Sequence, residues 1–149
     1  MYHIKKDLKI AEVVKEYLQR MGFSTYLDVN DRDFSQAVYI HDCNEKVASI
    51  QKGLDDCDAL ICIISDKTLQ SWWVPFEIGY AKAGKRKIAS IKTKDVESFP
   101  EYLQVEETLS STQDLRSFLG SIVDSRYGLL FSHCNIDDDT LNIMKSYFG

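Results

Sequence analysis

The sequence predicts an α/β domain, with a central parallel sheet flanked by helices. Three observations carry this. Segments with apolar residues at spacings of three and four alternate with short runs of strand character. The run "ALICIIS", residues 59–65, is apolar without interruption, as suits a strand covered on both faces. Pro and Gly are scarce, 2 and 7 in 149 residues, and no repeat, linker or low-complexity tract interrupts the pattern. A chain of this length is one ordinary domain with room for a real core.

The elements follow in order. Residues 7–21 read as an amphipathic helix with Leu8, Ala11, Val14, Leu18 and Met21 on its apolar stripe, and Gly22 as its stop. "FSTYL", residues 23–27, alternates like a strand. Residues 28–42 form a long polar loop punctuated by Phe34 and Tyr39. Val47, Ile50 and Leu54 then recur at helical spacing, with Asn44 as candidate cap. After the strand at residues 59–65, Ser71 is placed to cap a helix whose first turn holds Pro75. Gly84 closes that helix, and Lys85, Arg86 and Lys87 suit its negative end. "KIASI" is the next strand, and "EYLQVEETLSS" holds a last short one. "TQDLRSFLGSIV" is the last core helix, with Leu115, Phe118, Leu119 and Val123 buried.

The opening strand is the irregular feature, since only "MYHI" precedes Lys5. A short strand occupies residues 1–4, or the true start lies upstream, or another segment supplies it. Residues 125–149 look like strand, polar loop and helix. They complete the sheet, within the chain or by exchange between protomers, or pack on the surface as an extension. The expected division is therefore residues 1–124 as the domain and 125–149 as a C-terminal extension.

Composition narrows the function classes. A net charge of −5 argues against nucleic-acid binding through phosphate contacts. Cys43, Cys57, Cys62 and Cys134 show no CxxC and no ligand-like pairing with His3, His41 or His133, so no metal site is expected and the thiols read as reduced. No apolar run reaches about 18 residues, so no membrane span is expected. The expected location is cytosolic. A Gly-rich phosphate loop and a GxSxG elbow are both missing from the sequence.

In such sheets ligands bind beyond the carboxyl ends of the strands. The stretch "SWWVPFEIGYAKAGKRKI" puts Glu77 near that edge, on a helix face shared with Trp73 and Tyr80. A carboxylate beside an aromatic platform suits cleavage of an N-glycosidic bond, where it stabilises an oxocarbenium ion or attacks the sugar carbon. The plainer reading is a surface glutamate paired with Lys82 or Lys85.

At these residues the sequence resembles a Toll/interleukin receptor (TIR) domain. "YHIKKDLKIAEVVKEYLQRMGFSTYLD" is similar to that family's opening, and "CDALICIISDKTLQSWWVPFEIGYA" to its third strand, loop and following helix. "WVPFE" matches the W-V-x-x-E of the enzymatic members. The resemblance implies a flavodoxin-like fold, Glu77 as catalytic residue for NAD+ cleavage, and Trp73 as a substrate-lining aromatic. Ser65, Tyr2 and His3 would line the pocket. Residues 28–42, with Phe34 and Tyr39, would be the loop that gates the pocket and mediates self-association. NAD+ would be a substrate and no cofactor would be needed. Partners would be other TIR domains, in a homo-oligomer. "FEIGYAKAGKRKI" also resembles the nucleoside deoxyribosyltransferases, which would make a nucleoside the substrate, with Tyr2 as an active-site tyrosine. A third reading is a non-enzymatic TIR–TIR interaction module in signal transduction.

Overall fold

The computed structural model describes residues 4–25, 43–66, 68–94 and 96–124. Within these, α1 (Ile4–Arg20) and α2 (Cys43–Asp55) precede strand β1 (Ala59–Ile64). A single 3-10 turn (Thr68–Gln70) leads to α3 (Trp73–Ala83) and β2 (Lys87–Lys92). Then come the short α4 (Glu101–Gln104), β3 (Glu107–Leu109) and α5 (Thr112–Asp124). The strands form one parallel sheet in the order β1-β2-β3. Ala59 to Ile64 pair with Lys87 to Lys92, and Ala89 to Ile91 with Glu107 to Leu109.

The sheet is covered on both faces, as the unbroken apolar run required. One cluster joins Ile10, Val14 and Tyr17 of α1 and Leu115, Phe118 and Leu119 of α5 to Ala89, Ile91 and Leu109. The other joins Ile50 and Leu54 of α2, Ile78 and Ala81 of α3 and Leu103 of α4 to Cys62, Ile64 and Ile88. Strand β1 divides its side chains by the period of two. Ala59, Ile61 and Ile63 face the first cluster, and Leu60, Cys62 and Ile64 the second. The result is a three-layer α/β/α domain of flavodoxin-like type.

Several expectations need correction. Helix α1 starts at Ile4, so no strand runs through that residue; the other residues of that expected strand, Met1 to His3, lie outside the described set. Ile10, Val14 and Tyr17 are buried on α1, with Leu18 and Met21 partly buried at the edge; the side chain of Leu8 lies outside the described set. Tyr17 was not an obvious core residue. It is fully buried because its hydroxyl accepts a hydrogen bond from Arg116 Nε at 3.1 Å, joining α1 to α5.

Phe23 to Thr25 are not strand; residues 26–27 of that expected strand lie outside the described set. Instead the Phe23 N–H donates to Leu18 O at 3.0 Å and the Gly22 N–H to Gln19 O at 3.0 Å. With Gly22 at φ 85°, these bonds make the double-bonded C-terminal motif that the glycine predicted. Asn44 is inside α2, which begins one residue earlier, so it does not cap from outside. The expected C-terminal extension, residues 125–149, also lies outside the described set.

Helix α3 closes at Gly84, as expected. Gly84 keeps ordinary helical φ of −77°, and Lys85 takes the left-handed conformation at φ 56°. The N–H groups of Lys85 and Arg86 donate to Lys82 O and Ala81 O, both at 3.0 Å. The glycine is used for space: a Cβ at Gly84 would fall on the Arg86 guanidinium. That guanidinium folds back to pair with Asp55 at 2.9 Å, while Arg86 Nε donates to Cys57 O at 3.1 Å.

Ile91 lies at the centre of the sheet at 1% exposure. Ile91→Ala is expected to lose about 2–5 kcal/mol of unfolding free energy. Denaturant titration with an unchanged m-value would check this, and a loss below about 1 kcal/mol would contradict the packing described.

Candidate functional site

The carboxyl end of β1 delivers the chain to the segment that carries the candidate site. Ser65 follows the strand at 2% exposure. Its backbone N–H donates to Thr68 Oγ1 at 2.7 Å, and that hydroxyl donates to Ser65 O at 2.9 Å. Thr68 N–H reaches back to Ser65 Oγ at 3.4 Å, and Leu69 N–H donates to Ser65 O at 3.1 Å. These bonds fix the loop between β1 and α3. Ser65 is thus a buried, loop-setting residue at the strand end.

Ser71 does supply its hydroxyl to α3, accepting from the Trp73 N–H at 3.2 Å. The cap position itself is Trp72, which is helical in backbone and offers no side-chain bond. Pro75 sits in the first turn, where its missing N–H breaks no intrahelical bond. Trp72 points outward at 92% exposure, whereas Trp73 packs against the second cluster.

Ile78 and Ala81 turn toward the sheet. Trp73, Glu77 and Tyr80, spaced four and three apart, form the neighbouring stripe. Both aromatic members of that stripe meet α2. Lys46 Nζ lies 4.2 Å from the Trp73 ring centroid, a cation–π contact. The Tyr80 hydroxyl donates to both Asp55 carboxylate oxygens at 3.1 Å. Glu77 therefore lies half-buried along the seam between α2 and α3, one turn below Trp73. Phe76 links the rings, edge-on to Trp73 at 5.9 Å and stacked on Tyr80 at 6.4 Å.

Of the two lysines expected beside Glu77, Lys82 has another carboxylate partner. Lys82 Nζ pairs with Glu106 at 2.5 Å, on the far side of α3. Burial, then the Glu77 and Glu106 carboxylates, push the Cys62 thiol on β1 up to about 12. The Tyr80 phenol is also raised, chiefly because its protonated form donates a hydrogen bond to Asp55. Cys57 is raised by burial and by Asp56 and Asp58, against the opposing Arg86.

Ser65 thus ends β1, and Trp73 and Glu77 lie on α3, the helix that its loop leads into. Tyr2 and His3, and the loop residues Phe34 and Tyr39, lie outside the described residues. Sequence reasoning missed Lys46 and Asp55, which brace the stripe from α2. Both sit on the exposed side of an amphipathic pattern, and only helix packing shows what they touch. Among the described residues no group of His, Cys, Asp and Glu could hold a metal ion, and no helix is long and apolar enough to cross a membrane.

Comparison with known proteins adds the following. The family description "TIR domain" matches residues 2–117. The chain is 27% identical over 77 residues to a protein named probable 3' cyclic ADP-D-ribose synthase ThsB', from Bacillus cereus (strain MSX-D12). That stretch covers 51% of this chain and 38% of the relative, so the chain spans well under half of that protein's length in the match. No solved structure gives a significant match.

The thiols provide a check on the seam. At pH 8 the exposed Cys43 is expected to alkylate rapidly, and the buried Cys62, with its thiol pushed up to about 12, far more slowly. Because the folded Cys62 value lies above its unfolded 9.0, the stability it contributes is complete below about pH 9 and is lost as pH rises toward 12. Labelling of single-cysteine variants, read by mass, would show it. Equal rates at the two positions would contradict the burial of Cys62 beside Glu77.

Proposed function

The chain belongs to the TIR domain family, and from that premise we propose that it cleaves the nicotinamide–ribose N-glycosidic bond of NAD+. The observation that carries the reading is the half-buried Glu77, set one helical turn below Trp73 at the exit of β1. The synthase name of the relative supports NAD+ chemistry of this general kind.

In the proposed reaction Trp73 offers a face against which a planar cationic ring stacks. Its other face is already held by Lys46. The bond between the ribose carbon and the pyridinium nitrogen breaks, and its electron pair stays with nitrogen. Nicotinamide leaves neutral, so no general acid is required. Positive charge develops on the ribose carbon and ring oxygen, and the Glu77 carboxylate stabilises it. Water then adds with release of a proton to give the hydrolysed product, or a nucleophile of the adenylate half closes a ring.

The test is nicotinamide release from NAD+, measured for wild type and Glu77→Gln at low and high protein concentration. Release is expected in wild type and a drop of about 100-fold or more in the variant. Wild-type turnover by Glu77→Gln would overturn the assignment. A parallel arm offers a deoxynucleoside with a free base. Base exchange there, with no NAD+ cleavage, would favour the transferase reading.

We also propose that activity depends on association of copies through residues 28–42, as is general in the family. Phe34→Ala and Tyr39→Ala are expected to shift sedimentation toward monomer and to remove the concentration dependence of release. Unchanged assembly by both variants would take that loop out of the account.

A further inference from the structure

A cavity of about 470 Å³ opens at the carboxyl ends of β2 and β3, one strand over from the loop that leads to Glu77. Its lining is Lys92, Thr93, Lys94, Thr108, Leu109 and Ser110. The parallel register explains the grouping. Ile91 pairs with Leu109, so the next residues, Lys92 and Ser110, come level where the ladder ends.

One hydroxyl of its wall is buried without a partner. Thr93 is 2% exposed, and its Oγ1 has no hydrogen-bond partner. Its backbone is fixed, the N–H donating to Ile64 O at 2.9 Å. Buried polar groups normally find partners, and those that do not mark a place where something polar is missing. Lys92 Nζ makes one long bond, to Glu97 O at 3.3 Å, and Lys94 is exposed. Among the described residues one carboxylate adjoins the rim. Asp114 accepts the Ser110 N–H at 2.9 Å, and its own N–H is held by Ser111 Oγ at 3.1 Å. These bonds close the start of α5.

We propose that this cavity binds the phosphoryl group of a small phosphate ester. Two ammonium groups supply charge, and the hydroxyls of Thr93, Thr108 and Ser110 supply directed donors, which together match a tetrahedral oxyanion. In a chain of net charge −5 such a cluster selects anions over cations only by local arrangement. The volume exceeds that of free phosphate and suits an ester with a small organic group. The phosphoryl group has two sources: the dinucleotide substrate of the proposed reaction, or a separate phosphorylated effector. Thr93 adjoins Ile64, immediately before Ser65, so either source is within reach of the Glu77 passage.

Isothermal titration with inorganic pyrophosphate and with ADP tests this directly, without need of turnover. Saturable binding is expected for wild type, with Kd raised about tenfold or more in Lys92→Met/Lys94→Met. Thr93→Val preserves shape and removes the orphan hydroxyl. It is expected to raise Tm without ligand and to lower affinity for ADP. Absence of saturable binding to both probes, or a double-lysine variant within about twofold of wild type, overturns the site. Competition between ADP and NAD+ assigns the phosphoryl group to the dinucleotide; ADP binding without competition assigns it to an effector. If ADP binds while NAD+ is never cleaved, the site stands and the proposed reaction falls.

Discussion

Strand β2 cannot satisfy its neighbours unless both of its faces are covered, and this organises the rest of the domain. Ile88, Ala89, Ser90 and Ile91 are buried in succession, so consecutive side chains enter opposite cores. A helix layer is then needed on each side. Helices α1 and α5 close one face, and α2, α3 and α4 the other. The parallel pairing to β1 and β3 follows, because each crossover must pass through one of those layers.

That arrangement brings the carboxyl ends of β1, β2 and β3 to one edge and their starts to the other. At the starts, Arg86 ties the turn before β2 to Asp55 and to Cys57 O, the segment before β1. The Arg86 guanidinium also lies 5.9 Å from the Tyr80 ring, and Tyr80 shares Asp55. This clamp holds α3 against α2 at the end remote from the ligand edge. The Lys46–Trp73 contact holds the other end. Glu77 is positioned between the two, so the stripe is set by α2 as much as by α3.

The helices were legible in the sequence where apolar spacing and caps agreed. Gly22 ended α1 with the bonds its position promised, and the run from Ala59 gave a strand at almost its full length. The misreadings have physical causes. Tyr17 is buried because Arg116, 99 residues away, supplies a partner for its hydroxyl. Gly84 does close α3 as its C-cap, while Lys85 takes the left-handed conformation after it at a cost of about 1 kcal/mol. Phe23 to Thr25 alternate as a strand does, yet Phe23 finishes the α1 turn.

By itself the sequence determined the α/β class, the helical stripe that carries Trp73 and Glu77, and the family through the "WVPFE" stretch. These are local properties, written in spacing along one element. Only the tertiary structure decided what that stripe faces: Lys46 and Asp55 across the seam, and Cys62 beneath it. It also decided that Lys92, Thr93, Thr108 and Ser110 surround one cavity. Such meetings depend on the register between strands and on the packing of one helix on another, and the spacing within a single element carries neither.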